Sequence, residues 1–155
     1  IFDVVVFISP YIKRPIIPSY ITHINSDVFY NNKYIDTVIF SVDSKLTSFG
    51  SYGFDKSSLK SILIPSNVKS IPTCLFMNCE FLKSIEFLAD EIILDQFYSF
   101  HKCNKLFILS FPNTKNIQIS ETTNIINSNE ILIYVNSYSK IQYKDTFYCF
   151  SKNIY

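Results

Sequence analysis

Leu59-Lys60-Ser61-Ile62-Leu63-Ile64-Pro65 is the stretch that decides the fold, because it returns. It reappears as Leu82-Lys83-Ser84-Ile85-Glu86-Phe87, and again as Leu106-Phe107-Ile108-Leu109-Ser110-Phe111-Pro112. Upstream, Ile35, Val38 and Phe40 hold the same three apolar positions; downstream, Ile133 and Val135 hold the last two, with Glu130 in place of the first. The spacing between copies is 23 or 24 residues. An internal period of this length is the signature of a stacked repeat architecture.

The second half of each unit recurs as well. Pro65-Ser66-Asn67-Val68-Lys69-Ser70-Ile71 leads to Leu75-Phe76-Met77-Asn78-Cys79. Two periods earlier, Pro18-Ser19-Tyr20-Ile21-Thr22-His23-Ile24 leads to Val28-Phe29-Tyr30-Asn31-Asn32. Leu46 to Phe54 occupies the same slot with a small change in length. Cys79, Cys103 and Asn127 fall 24 residues apart, just before the strand. Alternation in L-x-x-I-x-I is the pattern of a half-buried strand. One such strand cannot bury its apolar face alone, so neighbouring units must share a core. Their strands then lie about 4.8 Å apart in a parallel ladder. Proline at 65 and 112 ends the strand, since it has no N–H to donate. The segments Ala89–Leu94 and Asn113–Asn127 lack the regular turn pattern and are expected to be irregular rungs.

These runs resemble BspA-type leucine-rich repeats. Ser58-Leu59-Lys60-Ser61-Ile62-Leu63-Ile64-Pro65-Ser66 is similar to the family's strand half, and Lys45–Phe54 to its second half. The resemblance covers residues 12 to 150 and is strongest from Asn32 to Pro112. It implies a mostly β solenoid, with one short parallel strand per unit and an irregular or short helical convex side. Ile133–Lys144 is similar to the family's closing unit, which implies a short C-terminal capping helix. The expected organisation is one domain over 1–155: a strand or cap at 1–11, five to six repeats at 12–135, and a cap at 136–155. The resemblance implies adhesion or protein recognition and carries no catalytic residues over.

Composition agrees with this architecture. The 155 residues include 48% hydrophobic and 17% aromatic side chains, too apolar for a disordered chain. Ala89 is the single alanine, so a helical bundle is disfavoured. Fourteen basic and 13 acidic residues nearly cancel, which gives no bulk pull toward nucleic acid. Arg14 is the sole arginine, and base and phosphate readout prefer arginine. Ile1–Ile8 is too short for a bilayer span, as is every later apolar run, so no membrane insertion is expected. A buried first strand or cap is favoured for it over the tail of a signal peptide. The four cysteines form no CxxC pair, which leaves a zinc site without support. No Asn-x-Ser/Thr sequon occurs, which leans toward an intracellular chain, while the resemblance points to a cell surface.

No catalytic constellation, metal site or cofactor site is expected. His23 and His101 lie inside repeat units, where a structural role outweighs general-base work. Cys103 beside His101 suggests a thiolate pair, yet it shares its repeat position with Cys79, so packing is the better reading. Asp90, Glu91 and Asp95 lack calcium-loop spacing. Two glycines cannot build a phosphate loop.

The outward face of the ladder is where a site is expected. Thr37, Ser61, Ser84, Ile108 and Leu132 form one exposed column, and Ile39, Leu63, Glu86, Ser110 and Tyr134 the next. Its last two rungs turn apolar through Ile108, Leu132 and Tyr134, with Phe107 nearby. Such a patch suggests a protein partner, with Leu63 and Glu86 beside it. The alternative is that the C-terminal segment folds back over it. Two functions follow: a non-catalytic protein-recognition module, or a structural subunit wedged in a larger cytoskeletal or filament assembly.

Overall fold

The computed structural model describes residues 3–5, 7–120, 122, 131–135, 138–143 and 146–149. Thirteen short strands follow one another among them, with no α-helix. They are β1 (Val4–Val5), β2 (Ile16–Ile17), β3 (His23–Ile24), β4 (Ile39–Phe40), β5 (Ser48–Phe49) and β6 (Ser61–Ile64). Then come β7 (Ser84–Phe87), β8 (Glu91–Leu94), β9 (Ile108–Phe111), β10 (Asn116–Ile119), β11 (Leu132–Val135), β12 (Lys140–Tyr143) and β13 (Thr146–Cys149). The chain winds as a β-solenoid.

Each turn of the solenoid contributes to two faces rather than one. The front face carries β2 and β4, then β6, β7, β9 and β11, all parallel. The Lys60 N–H joins its two parts by donating to the Asp36 carbonyl at 2.8 Å. The back face carries β1, β3 and β5 in one sheet, and β8, β10 and β12 in another. This second ladder exceeds the expected single strand per unit. Ala89–Leu94 and Asn113–Asn127, expected to be irregular, contain two of its best strands as far as they are described. In β8 and β10 exposed and buried residues alternate, with Ile92, Leu94, Ile117 and Ile119 buried; the outward positions are polar in β10, while β8 presents Glu91 and Ile93. The irregular rung is instead the one bracketed by Pro65 and Pro72, where Ser70 makes a single bridge to Ile93. Proline at both ends leaves no room for a longer ladder.

The expected C-terminal helix is also overturned. Residues 140–143 pair with β10 in parallel, and 146–149 return antiparallel as β13. Lys140-Ile141-Gln142 continues the polar–apolar alternation of Asn116-Ile117-Gln118, a period of two that a helix cannot use. Asn127 and Glu130, read as repeat positions, lie outside the described residues.

The arcs joining back to front are built from paired left-handed residues. Asp27 and Asn31, Tyr52 and Lys56, Cys74 and Asn78, and Tyr98 and Lys102 all have φ between 54° and 61°. Every pair is four residues apart, and none is glycine. The conformation is costly for an L-residue, of order 1 kcal/mol each. It turns alternate N–H groups along the solenoid axis. Phe29 and Asn31 donate to Gly53 and Asp55, Phe54 and Lys56 to Leu75 and Met77, Phe76 and Asn78 to Ser99 and His101, at 2.8–3.0 Å. Between the paired residues a phenylalanine points inward. Phe29, Phe54, Phe76 and Phe100 stack with centroids 4.7, 5.5 and 5.9 Å apart and planes within 23°. All four are buried. Phe87 stacks on Phe111 at 5.1 Å in the front half of the core.

Both corners carry side-chain ladders. At the corner entering the front face stand Asn32, Ser57, Cys79 and Cys103, all buried. Asn32 Oδ1 accepts from the N–H groups of Tyr34 and Ile35. The Cys79 and Cys103 thiols donate to the carbonyls of Phe54 and Phe76, each at 3.0 Å. Cys74, Cys79 and Cys103 are free thiols. At the other corner Asn67 Nδ2 donates to Ser44 O, Thr114 Oγ1 to Ala89 O and Ser139 Oγ to Thr114 O. Gly50 is required by close approach, since a Cβ there would overlap the backbone of Asn25 and Ser26.

Phe76→Ala removes the ring sandwiched between Phe54 and Phe100, and is expected to cost about 3–5 kcal/mol. Phe81→Ala, at an exposed ring, should stay within about 0.5 kcal/mol. Denaturant midpoints of the two variants check this. Burial pushes the Cys79 thiol from 9.0 up to about 12 and raises Cys103 as well. Both therefore stay protonated and should resist iodoacetamide at neutral pH until the chain is unfolded, read by peptide mass mapping. Because the folded values are raised, the unfolded chain gives up these protons first. Their contribution to stability is complete below about pH 9 and is lost as pH climbs toward 12. Cys79→Ser should lessen that alkaline loss.

Candidate functional site

The front face sets its columns by register. Ser61, Ser84, Ile108 and Leu132 are successive partners across β6, β7, β9 and β11. Leu63, Glu86, Ser110 and Tyr134 form the parallel column two residues on. Alternation sends their neighbours inward: Ile62, Ile85 and Leu109 are buried beneath them. The two columns expected from the sequence therefore stand side by side.

They line a groove of about 400 Å³ across the sheet. Thr37, Ser61 and Ser84 form its polar end, and Ile108 and Tyr134 its apolar end. Leu63 and Glu86 lie between, on the second column. Of the six residues singled out from the sequence, Leu63, Glu86, Ile108 and Tyr134 line the groove. Leu132 and Phe107 do not, but both are exposed, Leu132 on the Ile108 column and Phe107 just before β9. Ile133, an inward position, is 42% exposed because β11 is the last strand of this face among the described residues. The alternative of a C-terminal cover finds no support in the described part of that segment. Residues 140–143 and 146–149 run on the back face.

Charge is arranged along the edges. At the front edge Lys60 pairs with Asp36 at 2.6 Å, and this hydrogen bond holds the Asp36 carboxyl below the usual range. On the back, Lys69 pairs with Asp90 and lowers it in the same way. Both pairs are exposed, so they add little stability. Asp90 is thus an ion-pair partner rather than the seed of a cation site.

The other candidates scatter. His23 sits on β3, where Nδ1 meets Ser48 Oγ at 2.6 Å. His101 lies in an arc, its ring 5.4 Å from that of Tyr98. The Cys103 thiol is turned inward to the Phe76 carbonyl. Among the described residues no three His, Cys, Asp or Glu side chains gather as a metal site, and no helix is long and apolar enough to cross a membrane.

Comparison with known proteins follows the same lines. The BspA type leucine-rich repeat region matches the chain in six copies over residues 5–122. No curated protein matches it significantly. Among solved structures, a leucine-rich cell surface protein from Faecalibacterium prausnitzii A2-165 superposes with a TM-score of 0.58 at 20% identity. That alignment covers 92% of this chain and 41% of the other. The pneumococcal vaccine antigen PcpA gives a TM-score of 0.52 at 20% identity, over 86% of this chain and 31% of that one. The chain thus spans less than half the length of either structure, and the likeness is one of fold. Six matched copies over most of the sequence, in a solenoid of this geometry, make the chain a member of the BspA-type leucine-rich repeat family.

Proposed function

We propose that the chain is a non-catalytic protein-recognition module that binds its partner along the front groove. The observation that carries this reading is the groove's asymmetry. Ile108 and Tyr134 place apolar surface at one end, which exposed Leu132 continues beyond the groove on the Ile108 column, while Ser61, Ser84 and Thr37 place hydroxyls at the other. Burying Leu132 and Tyr134, now 55% and 57% exposed, supplies the driving force. Glu86, half-buried in the middle of the groove, favours a partner that brings a cation to that point. The fitting partner is an extended segment with an apolar end and a basic residue within two strand spacings of it, about 10 Å. The family and the cell-surface leucine-rich neighbour are consistent with such a role.

Leu132→Asp is the test. The side chain is in solvent, so the variant should fold with an unchanged denaturation midpoint. A photo-crosslinking residue at position 134 should capture one protein from the native source. Leu132→Asp should cut that yield by at least about tenfold, matching the loss of one well-buried anchor. Equal capture by the folded variant would show that the partner is not anchored at the apolar end of this face, and would overturn the reading.

A further inference from the structure

A second concavity lies on the front edge, away from the groove. Its origin is a missing residue. From corner residue to the next buried aliphatic, the chain runs Asn32-Lys33-Tyr34-Ile35, Cys79-Glu80-Phe81-Leu82 and Cys103-Asn104-Lys105-Leu106. The unit between the first two reads Ser57-Ser58-Leu59. Its corner and core residues stay buried in line with the others. The shortened turn therefore draws the edge inward at Ser58 and opens a notch of about 280 Å³.

Ser57 and Ser58 line this notch, with Lys33 and Lys56 from one side and Asn78, Glu80 and Phe81 from the next rung. The two lysines are positioned. Lys33 Nζ donates to the Lys56 carbonyl at 2.7 Å, and Lys56 Nζ to the Tyr30 hydroxyl at 3.2 Å. Asn78 Nδ2 donates to the Oδ1 of buried Asp55 at 2.9 Å, which fixes the amide. Phe81 is 46% exposed, and the Lys105 ammonium stands 4.8 Å from its ring centroid. An exposed aromatic ring, fixed amide and hydroxyl groups, and ammonium groups thus meet in one small space.

We propose that this notch binds a carboxylated sugar residue, of the uronic or sialic acid class. At about 280 Å³ the notch is at the small end of ligand pockets, a size that suits a single pyranose ring rather than a peptide segment. The apolar C–H face of the ring packs on Phe81. Ser58, Asn78 and Glu80 meet its hydroxyls, as hydrogen bonds demand in a half-enclosed site. The carboxylate lies between Lys33 and Lys56. Lys102 and Lys105 on the following rung add positive potential against Glu80 and Asp55, which favours an anion over a neutral sugar. This site is independent of the groove reading, and each can fail without the other.

The experiment is a titration of the ¹⁵N-labelled chain with sodium glucuronate and, in parallel, with glucose. Saturable amide shifts confined to residues 56–58 and 78–81, with glucuronate alone, are the expected result. Inserting a tyrosine between Ser57 and Ser58 restores the turn length and should abolish the shifts. Should that insertion not fold, the double variant Lys33→Glu and Lys56→Glu, on exposed side chains, should weaken glucuronate binding by at least about tenfold. Absence of saturable shifts, equal binding of glucose, or unchanged binding by the folded variants each overturns the proposal. Leu132→Asp should bind glucuronate as the unaltered chain does.

Discussion

Rung-to-rung hydrogen bonding through the arcs is the constraint on which the structure depends. A strand offers its N–H and C=O groups sideways by nature, but a turn does not. Here two left-handed residues, four apart, rotate the intervening N–H groups until they meet carbonyls of the next arc. Without that rotation the arc would bury unpaired donors, which costs more than the strained φ values. The same twist leaves one inward position between each pair, and phenylalanine fills it on four successive arcs. Asn31 and Asn78 suit the left-handed conformation, while Tyr52, Lys56 and Tyr98 occupy it against their own preference. Tertiary bonding overrides local preference there.

Because the arcs and corners hold the register, the exposed columns of the front face are free to vary. Ile62, Ile85 and Leu109 keep the core constant while their outward neighbours run from serine to isoleucine and from leucine through glutamate to tyrosine. The groove is a consequence of this division. Its floor is dictated by packing, and its chemistry by residues that packing does not restrict.

Much of this could be read from the residues alone. The L-x-x-I-x-I runs gave the front ladder and both of its columns in correct register, since alternation and a fixed period leave one arrangement. The back ladder was harder to see. Glu91-Ile92-Ile93-Leu94 and Asn116-Ile117-Gln118-Ile119 share little sequence, and only the inward Ile and Leu positions repeat. Family likeness implies a C-terminal helix, whereas the alternation of Lys140-Ile141-Gln142 is that of a strand. The notch was written in Ser57-Ser58-Leu59 as a unit one residue short. Its meaning appeared only once the corner positions had been fixed by burial.

The stacked phenylalanines also bear on how the chain acquires its structure. Every rung touches the one roughly 24 residues before it, so each addition closes a loop of similar length at similar entropic cost. Growth then resembles a one-dimensional crystal, in which the first contact between neighbours is the slow event and later layers follow. The continuous column from Phe29 to Phe100 marks where the seed has most to gain. Assembly would begin in the middle of the chain and spread outward, and under stress the outer layers would peel away before that column gives.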